Sequence, residues 1–152
     1  MVLENKKYVL DANVFLEYIY GRKFQDIARY IIAQAIVGEI EIIIPSLALD
    51  EITEVLCGNM KDINEIEIHL GYIEKLINES IIKVVVPTTK VRLHAIEMAR
   101  YGNKKSGYPE FTDSLYHSLA IFNDAIFITN DKRHLSKVKK FGHIKLLADI
   151  GI

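Results

Sequence analysis

The chain has 152 residues, half of them hydrophobic and about a quarter charged, enough for one proper core and too short for two domains of ordinary size. A net charge of -1 excludes binding to nucleic acid through bulk positive charge, and the single cysteine, Cys57, excludes an internal disulfide and a multi-cysteine zinc site. No apolar run is long enough to span a membrane, and Met1-Val2-Leu3-Glu4-Asn5-Lys6-Lys7 lacks the apolar stretch of a secretion signal, so a soluble, cytoplasmic protein is expected.

The first element is Tyr8-Val9-Leu10-Asp11, a short apolar run that stops on a carboxylate and reads as a buried strand. Val14, Phe15, Tyr18 and Ile19 follow at helical spacing and end at Gly21. A second helix carries Phe24, Ile27, Ile31 and Ala35 and closes at Gly38. Ile42-Ile43-Ile44 is a β-branched strand stopped by Pro45, with Ser46 as N-cap of a helix through Leu49, Ile52, Val55 and Leu56 that ends at Gly58. Cys57 lies within that apolar pattern and reads as a buried, inert thiol.

From Asp62 to Asn78, apolar positions at steps of three and four predict a long amphipathic helix, suited to covering the sheet or meeting a partner. A strand over residues 82–86 comes next, then a helix with Val91, Ala95, Met98 and Ala99. The segment Asn103-Lys104-Lys105-Ser106-Gly107-Tyr108-Pro109 is a loop rich in breakers. Thr112 is placed to cap a helix bearing Asp113 in its first turn and Leu115, Leu119 and Phe122 on its inner face. The strand Ile126 to Thr129, a helix with Leu135, Val138 and Phe141, and a last strand Ile144 to Leu147 complete the chain. Short apolar strands, each followed by helix, predict an α/β fold with a five-stranded parallel sheet covered on both faces. Without repeats or low-complexity tracts, residues 1–152 read as one domain.

Four acids stand at the edges of these elements, Asp11, Glu51, Asp113 and Asp131, facing one side of the sheet on this reading. Alone, an aspartate at a helix start is usually a cap or a partner of the helix dipole. Together in a crevice, four carboxylates repel one another and rise in pKa unless a cation joins them. An all-oxygen donor set without His or Cys suits Mg²⁺ or Mn²⁺ rather than zinc. Such an ion acidifies a water and neutralises phosphate charge, which points to hydrolysis of phosphodiesters.

Val9-Leu10-Asp11-Ala12-Asn13, Pro45-Ser46 through Glu51-Ile52, Asp113-Ser114-Leu115 through Ala120, and Ile128-Thr129-Asn130-Asp131 resemble, in order, the four motifs of the PIN-domain nucleases. In size and layout the chain is most similar to the VapC-type ribonuclease toxins of type II toxin-antitoxin pairs. The resemblance spans residues 8 to 147. It implies a three-layer α/β/α sandwich with the first and fourth strands adjacent, and an endoribonuclease dependent on Mg²⁺ or Mn²⁺. It also implies a small antitoxin laid across the crevice and a homodimer. By position, Asp11, Glu51, Asp113 and Asp131 match the family's acids, Asp11 and Asp113 binding the metal most directly and Glu51 and Asp131 completing the shell. Asn13 and Thr129 match its accompanying polar positions, which hold ligands in place. Ala12 departs from the Thr or Ser often found there.

Some neighbours compete for these roles. Asp50 points about 100° away from Glu51 on a helix, so only one of them faces the crevice; the resemblance favours Glu51. His117 lies one turn after Asp113, where an imidazole either reaches the metal or, more commonly, packs. Glu110 and Asp124 read as surface charges. Lys132, Arg133, Lys137, Lys139 and Lys140 surround the helix beginning at Asp131, a solvated basic face that doubles as a candidate RNA-backbone contact, with Lys104 and Lys105 as extensions. Two rival functions remain. A phosphatase using Asp11 as nucleophile would want a second aspartate where Asn13 stands, and a PIN-like module that binds RNA or protein without cutting would not need to keep all four acids.

Overall fold

The computed structural model describes residues 3–102, 104–105 and 107–151. Met1, Val2 and two residues of the expected loop, Asn103 and Ser106, lie outside the described residues. Five strands, β1 (Lys7–Leu10), β2 (Glu41–Pro45), β3 (Ile82–Val85), β4 (Ile126–Thr129) and β5 (Ile144–Leu146), form one all-parallel sheet in the order β3-β2-β1-β4-β5. Consecutive residues Val9 and Leu10, Ile42 to Ile44, and Phe127 and Ile128 are all buried. Successive strand residues face opposite sides, so both faces of the sheet must be covered.

The cover is made by α1 (Ala12–Tyr20), α2 (Gln25–Ile36), α3 (Leu47–Asn59), α4 (Ile63–Asn78), α5 (Thr89–Ala99), α6 (Phe111–Phe122) and α7 (Lys132–Val138). Several starts are written in short polar side chains. Asp11, Asp62, Thr88 and Asp131 each accept a hydrogen bond from a backbone N–H of the first turn they precede. Gly21 ends α1 in the left-handed region at φ +63°, a conformation open to glycine at little cost.

Sheet order decides where a site can form. From β1 the chain moves outward through β2 to β3, then returns to pair β4 on the other side of β1. The carboxyl ends of β1 and β4 therefore border the point where strand order reverses, which is where open parallel sheets leave a crevice. Leu10 pairs with Ile128, and Asp11 N–H extends the pairing by donating to Ile128 O at 3.1 Å. Asp11 and Thr129 are thus delivered to the same rim.

Several local expectations are corrected. Cys57 is exposed, because the buried stripe of α3 is Ala48, Ile52 and Leu56 and the next residue turns about 100° away from it. Gly58 stays inside α3, and Ser46 sits at its start without a capping bond. Thr112 does not cap α6. That helix begins two residues earlier, at Phe111, with Glu110 at the extended N-cap position after Pro109 and Glu110 O receiving Ser114 N–H. The last helix closes through a 3-10 turn, Lys139–Phe141, before Gly142.

Candidate active site

Asp11 is the anchor of the rim. It is 5% exposed, and its carboxylate accepts from Asn13 N–H (3.0 Å), Asn13 Nδ2 (3.4 Å) and Thr129 Oγ1 (3.0 Å). Burial nevertheless raises its pKa, with Asp131 adding repulsion against the lowering effect of those donors. Thr129 also accepts from Asp131 N–H at 3.0 Å. One hydroxyl therefore ties the first acid to the backbone of the fourth.

Asp131 caps α7, accepting from Arg133 N–H (2.9 Å) and His134 N–H (3.1 Å). Partial burial works to raise its pKa, but the His134 N–H, a hydrogen bond from Asp113 and the Arg133 N–H outweigh it, so the net direction is down. Asp113 lies in the first turn of α6, and its carboxyl is pushed up to about 8, first by burial and then by Asp11 and Asp131. The two carboxyls titrate as a pair, their interaction holding Asp113 up and Asp131 down. Glu110, exposed as expected of a surface charge, adds the weakest of these repulsions.

Glu51 faces the same rim from α3, whereas Asp50 is exposed. Its carboxylate receives the hydroxyl of Tyr116 at 2.5 Å, and its pKa is raised by burial and by Asp11 and Glu54. Tyr116 is itself buried and stacked on Phe127, with ring centroids 5.6 Å apart. Burial and Glu51 both push its pKa up, so it serves as a fixed donor.

The structure therefore brings Asp11, Glu51, Asp113 and Asp131 into one electrostatic group, supported by Asn13 and Thr129. Among the described residues no set of three or more His, Cys, Asp or Glu side chains is arranged to hold a metal ion as it stands. The donor chemistry still fits a hard divalent cation: all oxygen, mutually repelling, and with Asp113 protonated near neutrality for want of a counter-charge.

His117 belongs elsewhere. It is fully buried on the far side of α6 from solvent, with Nδ1 3.2 Å from His134 Nε2 and Nε2 donating to Gly142 O at 2.6 Å. It packs; it does not join the acids. Of the basic residues, Lys132, Arg133, Lys139 and Lys140 are exposed and Lys137 is half-buried. Lys137 Nζ donates to Tyr108 O (3.1 Å), and Lys140 Nζ lies 3.4 Å from the centre of the Tyr101 ring. Lys104 and Lys105 are exposed in a turn.

Three participants escaped the sequence reading. Tyr116 falls one turn after Asp113, a spacing that marks it as a neighbour on the same face. Glu17 is the one charged side chain in the apolar helix α1, and it is buried, accepting from Phe24 N–H and Asn130 Nδ2. A lone acid in an apolar run was the available signal. His134, buried beside His117, carried no such signal because its burial comes from Phe127 and α6.

The model of the PIN domain family matches residues 8–140. No curated protein matches the chain in sequence. Among solved structures, VapBC2 from Rickettsia felis, bound to a DNA fragment from its promoter, is similar with a TM-score of 0.64 at 20% identity, covering 92% of this chain and 96% of that one. VapBC-1 from nontypeable Haemophilus influenzae gives 0.65 at 16% identity, covering 94% and 99%. PAE2754 from Pyrobaculum aerophilum gives 0.59 at 21%, covering 93% and 84%. At these identities the likeness establishes the fold.

Proposed function

The chain belongs to the PIN-domain family, and from that premise we propose that it is a Mg²⁺- or Mn²⁺-dependent endoribonuclease, the toxin of a toxin-antitoxin pair acting in the cytoplasm. The observation that carries the reading is the convergence of Asp11, Glu51, Asp113 and Asp131 at the carboxyl ends of adjacent strands β1 and β4.

In this reading Asp11 and Asp113 would hold the cation most directly, with Glu51 and Asp131 completing its surroundings. Bound there, it would acidify a water and neutralise the charge of the phosphodiester. The chain's own residues do the positioning. Thr129 and Asn13 fix both oxygens of Asp11, Tyr116 fixes Glu51, and Asp113 gives up its proton as the site is loaded. Lys132, Arg133 and Lys139 offer exposed positive charge to the RNA backbone, with Lys137 and Lys140 beside them.

An antitoxin partner follows from the family and is in keeping with the VapBC assemblies among the similar structures. Support for a protein partner on this chain is apolar surface left open on α4, where Ile63 and Ile68 are largely exposed. A homodimer is part of the same proposal.

The test is cleavage of single-stranded RNA by the purified chain with Mn²⁺, with excess chelator, and with Asp11→Asn. Cleavage confined to the wild-type protein with metal is expected, together with growth arrest on expression. Cleavage that persists in chelator or in Asp11→Asn would overturn the assignment.

A further inference from the structure

A second concavity opens beside the acidic rim. It has a volume of about 280 Å³ and is lined by Lys23, Phe24, Asn130, Lys132, Leu146 and Ala148. Asn130 and Lys132 flank Asp131 in the chain, so cavity and rim share a wall. The size lies near the lower end of small-molecule sites, about 300 Å³, which is room for one nucleotide unit and too little for a folded segment.

Its lining is organised from beneath by Glu17. This carboxylate, 7% exposed, accepts from Phe24 N–H at 3.0 Å and from Asn130 Nδ2 at 3.2 Å. A carboxylate only accepts, so the Asn130 amide must turn its nitrogen toward Glu17, which leaves Oδ1 as its acceptor end. Lys23 Nζ lies 5.3 Å from the centre of the Phe24 ring, and both Lys23 and Lys132 are exposed. The ring of Phe24, half-buried against the core and lining the cavity, an anchored amide acceptor and two ammonium groups match two parts of a nucleotide: a base, with a ring to stack and an exocyclic amine to donate, and phosphates to neutralise.

Resting on the ribonuclease reading above, we propose that this cavity receives a nucleotide of single-stranded RNA adjoining the phosphodiester at the acidic rim. Its base lies against Phe24 and its phosphates between Lys23 and Lys132. The buried Glu17 is a positioning residue, holding Phe24 and Asn130 in register with Asp131. The cavity selects unpaired RNA, because a base stacked on Phe24 cannot also lie in a duplex.

The experiment uses the full chain carrying Asp11→Asn, which spares the probe, and a fluorescent oligoadenylate of about six nucleotides, within the span of single-strand sites. By fluorescence anisotropy, Phe24→Leu weakens binding about tenfold, the scale of one lost stacking contact, and Phe24→Tyr restores it. Lys23→Gln weakens binding and lowers its salt dependence. In the otherwise wild-type chain, Phe24→Leu raises KM for RNA and leaves kcat near its starting value. Unchanged affinity in both Phe24→Leu and Lys23→Gln overturns the proposal, as does RNA cleavage with unaltered KM, a result that leaves the ribonuclease reading standing. Loss of binding in Phe24→Leu with no cleavage by the wild-type chain in Mn²⁺ supports the cavity and defeats the ribonuclease reading.

Discussion

Helices α6 and α7 each carry an acid and a histidine about one turn apart, and the two pairs have opposite fates. Asp113 and Asp131 meet at the rim, where burial and mutual repulsion leave one proton between them. His117 and His134, three or four residues further along the same helices, meet under Phe127 and Phe141 as neutral rings, each pushed down to about 4, first by burial. Gly142 O takes the His117 Nε2 proton, so His117 Nδ1 is the acceptor for His134 Nε2, and His134 Nδ1 is left buried without a partner. The rim lacks positive charge, whereas the imidazole pair excludes it. Residue type and spacing are nearly the same in both; depth and partner decide which pair is chemistry and which is packing.

The sharpest way to break this contrast is to remove one member from each pair. Asp113→Asn should leave a folded protein, since at neutral pH the acid is already mostly protonated and the amide copies its shape. Cleavage should nevertheless fall by about a thousandfold, the upper scale for loss of one charge-stabilising group. Saturating Mg²⁺, at about a hundred times its dissociation constant, should stabilise the wild type by about 2.7 kcal/mol in thermal melts and the variant much less. Equal stabilisation of the two would remove Asp113 from the ion's surroundings.

His117→Leu should do the reverse. It leaves Gly142 O and His134 Nε2 without their partner in a dry interior, a cost of about 3 kcal/mol measured by urea unfolding. Stabilisation by Mg²⁺ should survive in the fraction that folds. If His117→Leu abolished the metal response and spared stability, the division between the two pairs would be misdrawn.

The division also has a pH signature. Histidines whose folded pKa lies near 4, against about 6.5 unfolded, stabilise the protein fully above pH 6.5 and lose that stability as pH falls toward 4, because the unfolded chain binds the extra protons. Asp113 has the opposite sign: raised to about 8, it favours the folded state at low pH and loses that contribution as pH rises through 8 in the absence of metal. In the Asp113→Asn background one of the opposing titrations is gone, while Asp11 and Glu51 remain raised. The loss of stability between about pH 7 and pH 5 should therefore be steeper there than in the wild type, and should shrink when His117→Leu is added.

The sequence shows the rim more readily than the packing. Strands β1 and β4, the acid after each, and the helix-borne Glu51 and Asp113 could all be read from apolar runs ending in polar residues, because a parallel sheet buried on both faces writes its strands as continuous Val, Ile and Leu. Metal and RNA dependence remain proposals resting on that geometry. Cys57 and Thr112 read differently in the structure for local reasons, Cys57 turning off the buried stripe of α3 and α6 starting at Phe111 behind Glu110, whereas His117 packs, the commoner of its two readings. Glu17 and Tyr116 are hard to see in the sequence because their partners lie elsewhere in the chain, at the starts of α2 and α7 and on α3.

Tyr116→Phe is the finest probe of this difference, because Tyr116 bridges the two regimes: its ring stacks on Phe127 in the core and its hydroxyl reaches Glu51 at the rim. Removing one oxygen keeps the stacking and deletes the hydrogen bond, so stability should change by no more than about 1 kcal/mol. The donor also lowers the Glu51 pKa against burial, so its loss should let that carboxyl rise further. A carboxyl that holds its proton more tightly competes less well for a cation. The apparent metal dissociation constant near neutral pH should therefore increase a few-fold and recover as pH is raised. A metal affinity that is unchanged at every pH would mean that Glu51 stands outside the ion's reach, and would confine the working acids to Asp11, Asp113 and Asp131.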